Sequence, residues 1–120
     1  MSVVTAYSTT PELVAKQVRD FYFSYPHGNT LSEVRLVPLR SIRSNLGDYH
    51  QSLVDKYTAA IARGEAMPPI VLRLYPNSAR YTIRDGTHRD LASRANGLTH
   101  IPALVEEGLI WQHGQYRRPS

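Results

Sequence analysis

Ten consecutive residues constrain this chain more than any others: Tyr81-Thr82-Ile83-Arg84-Asp85-Gly86-Thr87-His88-Arg89-Asp90. The first five read as a strand, Gly86 as a turn, and the rest as the opening of a helix. Backbone N–H groups at a helix start have no intrahelical partner, and the helix dipole adds partial positive charge there. With His88 and Arg89 side by side at that point, the turn is a credible seat for a phosphate group. Any fold for this chain must present that turn, with a strand leading in and a helix leading out.

The flanking sequence supplies the scaffold. Residues 1–10 are small and polar and read as a loose end. Thr10 is placed to cap a helix with Pro11 at its first position and Glu12 complementing the dipole. Leu13, Val14, Val18, Phe21 and Tyr22 give that helix an apolar stripe, and the loop from Tyr25 to Asn29 ends it. Residues 33–38 alternate as a strand. Asp48 with Gln51 three residues on has the spacing of a capping box, opening a helix with Leu53, Val54, Tyr57, Ala60 and Ile61 on one face and Gly64 as its stop. Residues 70–74 form an apolar strand, and Pro76-Asn77-Ser78 turns it into a hairpin with the strand that reaches Ile83. Thr87 with Asp90 repeats the capping-box spacing, and Gly97 closes that helix. Residues 101–105 form a short strand whose Pro102 argues for an edge position or a strand start. Leu109, Ile110 and Trp111 add one more short strand, and residues 115–120 read as a mobile basic tail.

Composition narrows the classes of function. A chain of 120 residues with 42% hydrophobic and 20% charged residues fits one globular domain. No apolar run approaches the ~20 residues that span a bilayer, and the start lacks the pattern of a signal peptide. There is no cysteine, which excludes disulfides, thiolate zinc sites and thiol catalysis and fits a cytoplasmic protein. A net charge of +4 and a pI near 9.6 favour an anionic partner: a nucleotide, a nucleic acid or a phosphorylated metabolite.

Several side chains carry alternative readings. Asp85 suits a general base, a magnesium ligand, or a salt-bridge partner of Arg84 or Arg89. The Thr87 hydroxyl is placed either to accept a phosphoryl group or to cap the helix. Gly86 serves a tight turn, a close phosphate approach, or both. The histidines His27, His50, His88, His100 and His113 have no paired ligand spacing, so no metal site is expected from them. Trp111 and Tyr116 beside Arg117 and Arg118 suit either base stacking or a frayed basic terminus.

Three blocks, in order, resemble the ParB/sulfiredoxin-like family. They are Val37-Pro38-Leu39-Arg40-Ser41-Ile42, then Gln51-Ser52-Leu53-Val54-Asp55 with Met67-Pro68-Pro69-Ile70-Val71-Leu72, then Asp85-Gly86-Thr87-His88-Arg89-Asp90-Leu91-Ala92 with Gly97 and Ile101-Pro102-Ala103. The last matches the family's Gly-x-His-Arg turn. The resemblance covers residues 34–105 and implies an α+β fold, a small mixed sheet with helices packed around it. By position it implies that Gly86, Thr87, His88 and Arg89 contact the phosphates of ATP or a related nucleotide. Ser52 and Lys56 are implied as further contacts, and four-residue spacing puts them on one helix face. Sulfiredoxins carry their catalytic cysteine where this chain has Thr87, so repair of a sulfinic acid by that route is not expected. The chain closes soon after the last matching strand, so the helix-turn-helix region of partitioning ParB proteins is not expected. The free serine kinases of this fold carry a catalytic glutamate that finds no match here.

The expected organisation is an N-terminal extension with one helix (1–30), the nucleotide-binding domain (31–107), and a short strand with a basic tail (108–120). The expected function is binding of ATP, ADP or CTP with Mg2+ carried by the nucleotide, coupled to phosphoryl transfer to a small hydroxyl-bearing acceptor or to hydrolysis. His88, Arg89 and Asp85 are the candidate catalytic residues. The alternative is a DNA- or RNA-binding or regulatory module using the same turn. No membrane partner is expected.

Overall fold

The computed structural model describes residues 4–24, 33–107, 110–112 and 115–117. The chain opens into helix α1 (Pro11–Ser24), whose Thr10 Oγ1 accepts the Leu13 N–H at 3.2 Å, as the cap signal predicts. Strand β1 (Arg35–Pro38), a 3-10 turn (Leu39–Ser41) and strand β2 (Ile42–Arg43) follow, then helix α2 (Gln51–Ala62). Strands β3 (Ile70–Leu74) and β4 (Tyr81–Asp85) form the expected antiparallel hairpin, and β4 runs through Gly86 into helix α3 (Thr87–Ala95). Strands β5 (His100–Glu107), β6 (Ile110–Gln112) and β7 (Gln115–Arg117) complete the order. Among the described residues, no helix is long and apolar enough to cross a membrane.

The five-stranded mixed sheet has the order β1-β5-β3-β4-β2. Strands β1 and β2, joined by three residues, therefore occupy opposite edges. Inter-strand steps of ~4.8 Å would hold the edges of a flat five-stranded sheet roughly 19 Å apart. The backbone from Pro38 to Ile42 reaches only about 14 Å. The sheet must curl to let the connection close. One face buries Ile70, Leu72, Ile101, Ala103 and Val105 against α2 and α3 through Ala60, Ile61 and Ala92. Alternation sends Val71, Arg73, Leu104 and Glu106 to the other face. There Arg73 and Glu106 are register partners and form a buried ion pair at 3.2 Å. The result is the α+β fold, a small mixed sheet with packed helices.

Several local expectations are corrected. The N-terminal segment is not loose from Thr5 onward: the Thr5 carbonyl accepts the Thr99 and His100 N–H groups, and the Ser8 carbonyl accepts the Met67 N–H at 2.9 Å. Neither capping box forms. Helix α2 begins at Gln51, so its cap position falls on His50 and Asp48 lies outside; the Gln51 amide instead donates to Asp55 Oδ1 at 2.8 Å. Helix α3 takes Gly86 as its cap, so Thr87 sits one residue inside. The Asp90 carboxylate is fully buried, accepting from Ser44 Oγ at 2.9 Å and Arg94 Nε at 3.1 Å. Strand β5 is internal rather than an edge; its proline is tolerated because Pro102 precedes Ala103, where pairing with β3 begins. Residues 115–117 pair with β6 as a hairpin rather than forming a loose tail, with Trp111 opposite Tyr116. His27, Leu109, His113, Arg118, the loop at 25–30 and the end of the tail lie outside the described residues.

Candidate functional site

The turn between β4 and α3 is built against the middle of the sheet. Gly86 has φ 113°, a left-handed conformation that side chains resist. A Cβ there would lie 2.4 Å from Ile70 Cγ2 and 2.6 Å from Ile70 Cβ, and Ile70 is fully buried on β3. The glycine is therefore needed twice, for its backbone angle and for its close approach to the strand. The hairpin ladder is irregular between Val71 and Leu72, where Asp85 leads into the turn.

The starts of α2 and α3 meet at this turn. The His50 N–H donates to His88 Nε2 at 3.0 Å, and the two imidazoles lie within 10° of parallel with centroids 6.1 Å apart. The His88 ring is thereby oriented with Nε2 toward the start of α2. Neither helix start carries a side-chain cap. Two sets of N-terminal amides and two positive dipole ends thus share one location. Ser52 is the second residue of α2 and is exposed; Lys56 is exposed one turn further along. Ser52 thus belongs to the helix start that His50 joins to the turn, and Lys56 lies one turn further along α2.

Arg89 goes elsewhere. Its side chain is only 11% exposed and points inward. Nη1 donates to the carbonyls of Pro68 and Pro69, both at 2.9 Å, and to Gln17 Oε1 at 3.1 Å; Nη2 reaches Asp85 Oδ2 at 3.3 Å. Of the readings open for Asp85, the salt bridge to Arg89 is the one formed, whereas Arg84 lies 3.6 Å from Glu106 instead. His88 and Arg89, adjacent in sequence, therefore diverge: one joins the two helix starts and the other clamps the turn to the proline segment. Tyr7 reinforces the clamp, its hydroxyl donating to the Pro68 carbonyl at 2.6 Å. Burial pushes the Tyr7 hydroxyl well above the usual phenol range, against the opposing pull of Arg89.

Gln17 completes this buried cluster and was not singled out by motif. Its Nε2 donates to Asp85 Oδ2 at 2.7 Å while its Oε1 accepts from Arg89. Its one sequence signal is position: residues 14, 17, 18 and 21 share a helical face, and a glutamine stands in that apolar stripe. Among the described residues no group of three or more His, Asp or Glu side chains gathers as a metal site.

The sequence profile of the ParB N-terminal domain matches residues 24–112. Among solved structures, sulfiredoxin from Arabidopsis thaliana is 24% identical with a TM-score of 0.55, over 64% of this chain and 88% of that one. The truncated chromosome-partitioning protein ParB from Caulobacter crescentus, complexed with CTP-gamma-S, is 22% identical with a TM-score of 0.55, over 63% of this chain and 45% of that one. A free serine kinase in complex with ADP is 18% identical with a TM-score of 0.55, over 68% of this chain and 34% of that one. The match thus spans less than half the length of the latter two proteins. At these identities the likeness is one of fold. No curated protein matches the chain in sequence.

Proposed function

The chain belongs to the ParB N-terminal domain family, and from that premise we propose that it binds a nucleotide, ATP, ADP or CTP, with its phosphates at the joined starts of α2 and α3. The observation that carries this reading is the contact from the His50 N–H to His88, which brings two uncapped helix starts together. Partial positive charge from two helices and outward-pointing amides favour a polyanion there. The related structures solved with CTP-gamma-S and with ADP support the choice of a nucleotide.

In the proposed complex, the N–H groups of Gly86, Thr87 and His88 hold phosphate oxygens, the Ser52 hydroxyl donates a further hydrogen bond, and Lys56 adds a mobile positive charge. Arg89 contributes by holding the turn in place. Asp85, directly before Gly86, is the acidic side chain that would hold a magnesium ion carried by the nucleotide, and the ion would supply positive charge against the phosphates. We further propose phosphoryl transfer to a small hydroxyl-bearing acceptor, or to water. The acceptor oxygen attacks the terminal phosphorus, the bond to the bridging oxygen breaks, and the acceptor proton passes to Asp85 or to solvent. Sulfinic acid repair through a thiol at this turn is not part of the proposal, because Thr87 stands there.

Calorimetric titration with ATP, ADP and CTP, with and without magnesium, tests the reading. Binding tighter than about 1 mM is expected for at least one nucleotide, and Lys56→Ala should weaken it by about three- to tenfold. Absence of binding for all of them at millimolar concentration overturns it. A second reading, contact with a nucleic-acid backbone, is equally compatible with the net charge of +4. That reading requires retention on a duplex that weakens steeply with added salt, without nucleotide binding.

A further inference from the structure

The family-matched segment begins at residue 24, yet two side chains that fix the turn come from before it. Tyr7 and Gln17 are buried, at 5% and 3% exposure. Tyr7 bonds to the same Pro68 carbonyl that Arg89 uses. Gln17 is the element that ties Asp85 to Arg89 from outside the turn, and it uses both ends of its amide to do so. The donor end faces a carboxylate and the acceptor end faces a guanidinium. The amide in this orientation satisfies both. A carboxylate at position 17 would suit Arg89 but oppose Asp85, and an apolar side chain of equal length would suit neither.

We propose that Gln17 is a positioning residue of the phosphate seat, so that the N-terminal helix is an integral part of the site rather than an appendage to the family domain. By fixing Asp85 and Arg89 it fixes the backbone amides of Gly86, Thr87 and His88. This rests on the nucleotide-binding reading for its ligand but not for its geometry. The Asp85 carboxylate faces two partners from two elements, Gln17 on α1 and Arg89 on α3, so its orientation depends on both being in place.

The test uses the full chain and three variants: Gln17→Glu, Gln17→Met, and Gln17→Glu combined with Asp85→Asn. The double variant restores the pattern with donor and acceptor exchanged, since an asparagine amide at 85 donates to a carboxylate at 17. One readout is amide hydrogen exchange at residues 86–89; the other is affinity for ADP without magnesium, which removes any metal-ligand role of Asp85. Gln17→Glu is expected to accelerate exchange at the turn and weaken ADP by about tenfold, and the double variant is expected to recover most of both. Gln17→Met, which carries no added charge, should give the same direction of change if the glutamate variant fails to fold. If the wild-type protein binds none of ATP, ADP and CTP while the exchange pattern behaves as described, the nucleotide reading falls and the positioning role stands. Unchanged exchange at the turn in Gln17→Glu and Gln17→Met, or loss in Gln17→Glu that the double variant does not recover, overturns the proposal.

Discussion

At Gly86 one hydrogen atom separates a working turn from a clash. An alanine Cβ at φ 113° would press into the Ile70 side chain at 2.4 Å, and Ile70 is fully buried on the central strand β3. Gly86→Ala is therefore expected to destabilise the protein by more than about 2 kcal/mol, read by urea unfolding. Asp90 makes a different prediction. It is fully buried, and burial pushes its carboxyl above the usual carboxylate range, against the lowering effects of Arg94 and Ser44. As pH falls from neutrality toward that range, the folded state takes up this proton before the unfolded chain does, so folding gains stability from this group. Asp90→Asn removes the dependence. The stability of the wild type relative to Asp90→Asn should rise as pH is lowered, measured by unfolding curves at each pH; a difference that shrinks or stays flat would contradict it.

The elements show how local signals and distant contacts divide the work. The N-terminal segment is held by Tyr7 in the core and by hydrogen bonds, and Tyr7→Phe, which keeps the ring and deletes one of those bonds, is expected to cost about 1 kcal/mol in chemical denaturation. Because the Tyr7 phenol is held protonated, its contribution is complete below the ordinary phenol range and is lost as pH climbs above it. The Thr10 cap, the β3–β4 hairpin and the glycine turn were all legible in the sequence, since each rests on residues within a few positions of one another. The two capping boxes were misread because a helix's first residue is set by its neighbours in space. Contact with His88 puts the cap of α2 at His50, and close packing on Ile70 puts the cap of α3 at Gly86. The direction of Arg89 was equally illegible. Its carbonyl acceptors lie about twenty residues back, at Pro68 and Pro69, and no local pattern announces them. Gln17 carried a weak signal as a polar residue in an apolar stripe, but its partners lie 68 and 72 residues away.

Across the whole molecule, the joined helix starts imply that simple anions should also stabilise the fold. Inorganic phosphate at about ten times its dissociation constant would add about 1.4 kcal/mol, visible as a higher melting temperature than in chloride at equal ionic strength. The curled sheet has a consequence in time. The β3–β4 hairpin is local, and β5 reaches β3 across β4 and one helix, but β1 pairs with β5 over the span from Arg35 to Ala103. That edge has nothing to dock on until the last strand of the sheet has arrived, and the short link to β2 lets it close only once the curl is set. Late closure predicts a kinetic split. Removing side-chain volume from β1, as in Val37→Ala, should speed unfolding and leave the folding rate nearly untouched, whereas Leu72→Ala in β3 should slow folding. Stopped-flow refolding of the two variants would read the order in which the sheet is assembled.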